Sequence, residues 1–273
     1  MPAEETLRSR ANPLYKRLRA LKERGTERDL CLLEGPKLVL DALAASLAVV
    51  EAAASPQAAG SPHGAAALEA LRERGVPVRR MTAELLASLS EAGTSQGLLA
   101  LARRPSFGEA QLFRGTPLVL VAEGVQNPGN LGGLLRTAEA AGASGAFLTT
   151  SSADPFSWKA LRGSMGSAFR LPHRSGLSIA EALDALEARG LTVFATSPDG
   201  DRRYDEADLR GPAALVVGSE GGGVSLAVRE RAVARLWVPL VAPVESLNVG
   251  VAAALVLFEA ARQRGFPPPG PRG

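Results

Sequence analysis

From Pro117 onward, short and nearly uninterrupted apolar runs alternate with stretches of helical period. The runs are "LVLVAEG", "AFLTT", "TVFATS", "AALVVGS" and "RLWVPL". A strand that is apolar on both faces has to be covered on both faces, which is the situation of a parallel sheet flanked by helices. The pattern predicts an α/β domain over residues 117–264. Its helices are expected at 131–141, near "SWKALRGSMGS", at "SIAEALDALEARG" and "SLAVRERA", and at "SLNVGVAAALVLFEAARQR", with a short strand at "AFRLP". Ligand chemistry on such a sheet belongs in the crevice at the carboxyl ends of its strands.

A chain of 273 residues has room for a second domain. Residues 1–105 read as a smaller alternating α/β unit: a basic helix, the strand "DLCLLEG", a helix opened by Pro36, "LAVVEAAAS", an Ala-rich helix, "VPVRRMT", another helix and "GLLALARR". Residues 106–116, with their prolines and glycines, are expected as a linker, and the tail 265–273 as disordered.

No run approaches 18 apolar residues, and the first 30 positions are charged, so neither a membrane span nor an export signal is expected. The single cysteine, Cys31, sits among apolar neighbours and reads as a buried thiol in a reducing cytoplasm. His63 and His173 form no metal-ligand spacing, no G-x-S-x-G elbow accompanies them, and no metal is expected.

The net charge of +3 is unevenly spread. Arg8, Arg10, Lys16, Arg17, Arg19, Lys22, Arg24 and Arg28 face only Glu23 and Glu27 within their segment. A solvated helix face and an RNA-phosphate surface fit this run equally well, with Asn12 and Tyr15 embedded in it.

Three loops follow strands at the expected edge. In "NPGNLGGLLRTAEAAGA", Leu131, Leu134, Leu135 and Ala138 make a buried stripe, Asn130 stands where an N-cap belongs, and Arg136 lies on the far side. "LVVGSEGGGVS" ends a strand in Gly218, Ser219, Glu220 and three glycines; its lone carboxylate disfavours a pyrophosphate and favours a neutral or cationic ligand. In "WVPLVAPVESLNVGVAAALVLFE", Ser246 is the expected N-cap and Asn248 falls in the first turn of a helix apolar nearly all round, hence buried. A Rossmann site is disfavoured, because G-x-G-x-x-G is not spelled.

In this order the elements N-P-G-N-L-G-x-x-x-R-T-A, V-V-G-S-E-G-x-G, and V-P-L followed by S-L-N-V resemble the three motifs of the SpoU/TrmH family of RNA 2′-O-ribose methyltransferases, members of the knotted SPOUT superfamily. The N-terminal part is similar to the substrate-binding domain that many such enzymes carry, whose fold resembles a small ribosomal RNA-binding protein. The resemblance implies S-adenosylmethionine as cofactor, a deep trefoil knot, and a homodimer with its active site at the subunit interface. It matches Gly218, Val238 and Leu247 to cofactor-binding positions, and puts Thr196 and Ser197 on the adenine side. Asn130, Arg136, Glu220, Ser246 and Asn248 match the polar residues of the active site. Arg10, Asn12, Lys16, Arg17, Arg19 and Arg28 are the expected RNA contacts, joined by Lys159, Arg162 and "RGSMGS". Glu123 stands where the family commonly has Asp, and Gly250 where it has Ser or Ala. The implied substrate is ribosomal RNA, 23S rRNA foremost. A tRNA methyltransferase and a non-catalytic RNA-binding assembly factor on the same fold are the alternatives.

Overall fold

The computed structural model describes residues 6–25, 27–90 and 95–266. The chain divides into two compact units, Met1–Ser106 with Phe156–Phe169, and Phe107–Pro155 with Arg170–Gly273.

In the first unit, α1 (Pro13–Arg24) is opened by Asn12, whose side chain accepts from the Leu14 N–H, and closed by Gly25 in the left-handed region at φ 57°. Then come β1 (Leu30–Glu34), α2 (Pro36–Ala44), β2 (Val49–Ala54), α3 (Pro62–Glu73), β3 (Val78–Arg80), α4 (Ala83–Ala87) and β4 (Leu98–Arg103). The sheet order is β1-β4-β2-β3, with β4 antiparallel to both neighbours and β2 parallel to β3. Leu18 and Leu21 of α1 pack with Leu30, Leu32, Leu99, Leu101, Met81 and Leu86. Each such leucine removed from water contributes about 1.5–3 kcal/mol. Cys31 is buried, as its neighbours required.

The second unit opens with α5 (Glu109–Leu112), which lies inside the expected linker. Leu112 is buried, and Phe113 meets Phe147 edge-on at 5.9 Å, so this stretch is packed chain. Along the chain there follow β5 (Leu118–Ala122), α6 (Pro128–Ala140) and β6 (Gly145–Thr149), then α7 (Trp158–Ser164) and α8 (Ser167–Arg170), which count with the first unit up to Phe169. Again in the second unit come β7 (His173–Leu177), α9 (Ile179–Glu187), β8 (Thr192–Thr196), β9 (Arg202–Arg203), β10 (Ala213–Val217), α10 (Leu226–Arg231), β11 (Ala234–Trp237) and α11 (Val249–Gln263).

Seven strands run in the order β7-β6-β5-β10-β8-β11-β9, and every pairing is parallel. The chain builds outward from β5 through β6 to β7, then crosses to the other side. β5 and β10 therefore flank the switch point, where a parallel sheet opens its ligand crevice. Both strands are buried along their whole length. The end of α11 is pinned beside them by Arg264, whose guanidinium donates to the carbonyls of Leu209 (2.7 Å) and Thr116 (3.0 Å).

The structure departs from the sequence expectations at several points. "AFRLP" is no strand: Ser167–Arg170 is helical, and the strand begins at His173. The segment of α7 groups with the first unit, where Trp158 joins the core of α1 and β1. α11 is not buried all round. Ala253, Val256, Leu257, Ala260 and Ala261 face inward, but Val251 and Phe258 are 48% and 43% exposed, with Ala254 and Leu255 half-buried between them. Residues 267–273 of the tail lie outside the described residues. No described helix is long and apolar enough to cross a membrane.

Candidate functional site

The loops after β5 and β10 meet because their strands are neighbours, and the loop before α11 joins them because α11 packs on α6 and β10. Sequence puts a turn-forming device in each.

Asn127 opens α6. Its Oδ1 accepts from the N–H groups of Gly129 (2.8 Å) and Asn130 (3.3 Å), with Pro128 at the first helical position. Asn130, expected as the cap, stands inside the first turn with its side chain directed elsewhere. Its Nδ2 donates to Glu220 Oε1, and its Oδ1 accepts from Asn248 Nδ2 at 3.3 Å. Asn248, not Ser246, caps α11, through Oδ1 to the Gly250 N–H at 2.9 Å. One side chain from each of the three loops thus forms a single chain of hydrogen bonds, Asn248 to Asn130 to Glu220.

The loop after β10 is folded on itself. Ser219 and Gly223 exchange backbone hydrogen bonds at 3.2 and 3.0 Å, and Gly223 turns the chain at φ 61°. A Cβ on Gly218 would lie 2.1 Å from the backbone of Gly223, so only glycine permits the fold-back. Glu123 accepts from the Ser225 N–H at 2.9 Å and anchors the far side of the turn.

These elements enclose a cavity of ≈ 570 Å³. All five residues expected to hold a cofactor line it: Thr196, Ser197, Gly218, Val238 and Leu247. So do Glu220, Ser246 and Asn248. Its floor, at Ser197 and Gly218, is buried, and its polar rim at Glu220, Ser246 and Asn248 is open to solvent. Leu236, Leu240 and Ala252 give it apolar walls. Arg229, which no sequence pattern marked, lines it too and pairs with Asp199 at 3.1 Å. The Ser197 hydroxyl and then the Arg229 guanidinium hold the Asp199 carboxyl at a pKa of about 2.

Arg136 is not brought to the cavity of its own chain. It is exposed on α6, off the buried stripe, with no hydrogen bond or ion pair among the described residues.

The expected RNA contacts divide. Asn12 is occupied as the α1 cap. Arg17 is bidentate to Glu27 (2.8 and 2.7 Å), and Arg19 pairs with Glu23 at 2.8 Å. Exposed Arg10, Lys16 and Arg28 have no ion pair among the described residues and carry the uncompensated charge. His173 is buried, and its Nδ1 donates locally to the Leu171 carbonyl, 3.0 Å away, a structural role. Among the described residues no group of three His, Cys, Asp or Glu could hold a metal ion.

Comparison with known proteins points the same way. Residues 117–258 match the SpoU rRNA methylase family, and residues 12–100 match the MRM3-like substrate-binding domain. A 23S rRNA guanosine 2′-O-methyltransferase of Bacillus subtilis is 33% identical, covering 89% of this chain and 93% of its own. The crystal structure of an RNA 2′-O ribose methyltransferase superposes with a TM-score of 0.83 at 34% identity, over 96% of this chain and all (100%) of that one. The SpoU methyltransferase AviRb of Streptomyces viridochromogenes, in complex with S-adenosylmethionine, gives 0.81 at 27% identity, over 93% and 98%.

Proposed function

Because the chain belongs to the SpoU rRNA methylase family, we propose that it transfers a methyl group from S-adenosylmethionine to a ribose 2′-hydroxyl of ribosomal RNA, 23S rRNA foremost. The observation that carries this reading is the junction of three loops on one cavity through Asn130, Glu220 and Asn248.

The residues fit the cofactor. Apolar walls suit an adenine ring and a thioether chain, with Thr196 and Ser197 on the adenine side and Gly218, Val238 and Leu247 around the body. Glu220 is compatible with a sulfonium cation, and no lysine lines the cavity to ask for phosphate. When bound, S-adenosylmethionine supplies an electrophilic methyl group. The chain supplies alignment and a site screened from water on its buried side.

Asn130 holds Glu220 and Asn248 in fixed register at the open rim, and Ser246 and Asn248 offer polar groups to the ribose. The Arg136 side chain is a cationic fork of N–H donors and offers no acceptor to serve as a base. Its role is to stabilise the developing alkoxide and grip the neighbouring phosphate, while the proton leaves to an RNA phosphate oxygen or water.

Arg136 reaches a ribose in a homodimer. The support is the second apolar stripe on α11, Val251, Ala254, Leu255 and Phe258, at spacing i, i+3, i+4, i+7. A second copy of the chain covers it, next to α6 and its Arg136. The same reading includes a trefoil knot at the loop before α11, and a first unit folded like a small ribosomal RNA-binding protein that docks RNA through Arg10, Lys16 and Arg28. Work on ribosomal RNA makes the protein cytoplasmic.

The test is methyl transfer from labelled S-adenosylmethionine to purified, unmodified 23S rRNA, 16S rRNA and tRNA. Label in 23S rRNA is expected. Label confined to tRNA would replace the substrate, and no transfer to any RNA or ribosomal particle would favour a non-catalytic RNA binder.

A further inference from the structure

The first unit contains a cavity that shares no residue with the one above. Its volume is ≈ 290 Å³, and it lies where β1 turns into α2, lined by Glu34, Gly35, Lys37, Asp41 and Gln96 on one side and by Leu161, Arg162 and Met165 of the 156–169 segment on the other. That is small for a whole cofactor and near the lower end of ligand pockets, about 300 Å³.

Its chemistry is unfinished. Glu34 Oε1 accepts from the Ser90 hydroxyl, but Glu34 Oε2 is buried with no hydrogen-bond partner. A buried polar atom left unpaired costs about 1–3 kcal/mol, so it calls for a donor. Lys37 and Arg162 are exposed on the same lining, and neither is ion-paired among the described residues, although two carboxylates line the cavity with them. Arg162 is held in place from behind, its guanidinium 4.9 Å from the centroid of the Trp158 ring, which Lys22 also approaches at 4.8 Å. Gly35, at φ 91°, leaves room for Gln96 on the lining: a Cβ there would lie 2.6 Å from Gln96 Oε1. The result is a recess of about the size of one base, lined by a carboxylate with one oxygen lacking a hydrogen-bond partner and by two cations without an ion pair among the described residues.

We propose that this recess receives one unstacked nucleobase of the RNA substrate. Glu34 Oε2 accepts from the base's exocyclic amino group, and Lys37 and Arg162 meet the flanking phosphates. Single-stranded RNA is read in this way, by hydrogen bonds to splayed base edges and by guanidinium contacts. Uracil has no exocyclic amino group, and its one edge donor, N3–H, is flanked by two carbonyl oxygens that face the carboxylate unfavourably, so cytosine, adenine or guanine is preferred to uracil. The proposal rests on the reading of the chain as an RNA methyltransferase and adds to it a point of sequence selection away from the reacting ribose.

The experiment measures binding of the full-length protein to fluorescent heptauridylate and to three variants with cytidine, adenosine or guanosine at the centre. At least one amino-bearing heptamer is expected to bind about 10-fold tighter than heptauridylate, the discrimination typical of a well-made base contact. Glu34→Gln removes that preference while leaving S-adenosylmethionine affinity unchanged. Equal binding of all four heptamers, or a preference that survives Glu34→Gln, overturns the proposal. Should Glu34→Gln fail to fold, the Lys37→Ala/Arg162→Ala double variant decides. A loss of about 10-fold or more on the preferred heptamer supports the recess, and unchanged affinity overturns it. Absence of methyl transfer to every RNA would instead sink the enzymatic reading, whatever the heptamers show.

Discussion

Asn130 donates from Nδ2 to the carboxylate of Glu220, a residue 90 positions away in the chain. The bond ties the helix after β5 to the turn after β10. Because Asn248 donates to the Oδ1 of the same asparagine, Asn130 is the hub of the rim. Its neighbour Asn127 has a different task, capping α6.

The two asparagines should therefore separate in a mutant pair. Asn127→Ala removes a cap and costs about 0.5–2 kcal/mol of stability, with methyl transfer by the folded fraction nearly unchanged. Asn130→Ala leaves the cap intact and loosens Glu220 and Asn248, so turnover falls by about 10²-fold, the cost of misplacing a site by an ångström. Urea unfolding and single-turnover methylation read the two quantities. Equal behaviour of the two variants contradicts the assignment.

Gly218→Ala places a methyl group 2.1 Å from the Gly223 backbone. The fold-back has to open, at about 1–3 kcal/mol for overpacking. Calorimetric titration with S-adenosylmethionine should show affinity reduced more than ~10-fold, as expected from a cost of that size. Gly221→Ala, which has open space around its Cβ position, should bind normally.

The exposed stripe of α11 predicts assembly. Phe258→Glu puts a charge on the proposed dimer face and should shift the protein to a monomer in light scattering. Methyl transfer should be lost, and S-adenosylmethionine binding retained within a few-fold. A wild-type protein that is monomeric at assay concentrations refutes the dimer.

His173 supplies a pH signature. Burial pushes its pKa below the ordinary 6.5, so the folded state resists protonation while the unfolded chain accepts it. Stability is then greatest above pH ~6.5 and is lost as pH falls below it, by up to about 1.4 kcal/mol per unit until the folded pKa is reached. His173→Phe, beside the Phe107 ring at 5.0 Å, should flatten that part of the urea-midpoint profile. An unchanged slope between pH 6.5 and 5 assigns the loss to other groups.

The sheet and the three loops are legible in the sequence because their signals are local. Buried strands declare themselves as apolar runs, and a turn that folds on itself needs the glycines at Gly218 and Gly223. The helix caps lie two or three residues from their expected positions. Asn130 and Ser246 suit a cap chemically, but Pro128 immediately after Asn127 is the better marker, since proline prefers the first helical position. Two features are not legible, because each depends on packing between distant segments. Residues 156–169 interrupt the second unit yet group with the first, through Trp158. The composition of α11 reads as wholly buried, although Val251 and Phe258 face outward. Ion pairing is hidden as well: Arg17 and Arg19 look like free cations in sequence and are neutralised by Glu27 and Glu23.

The most direct test of 2′-O-ribose methylation is the atom that receives the methyl group. RNA methylated by the protein with labelled S-adenosylmethionine is digested in alkali, which cannot cleave beside a 2′-O-methyl ribose. Label is expected in alkali-resistant dinucleotides and is lost with Arg136→Ala. Label in mononucleotides would mean methylation of a base, and would contradict the roles of Arg136 and of the Asn130–Glu220 rim.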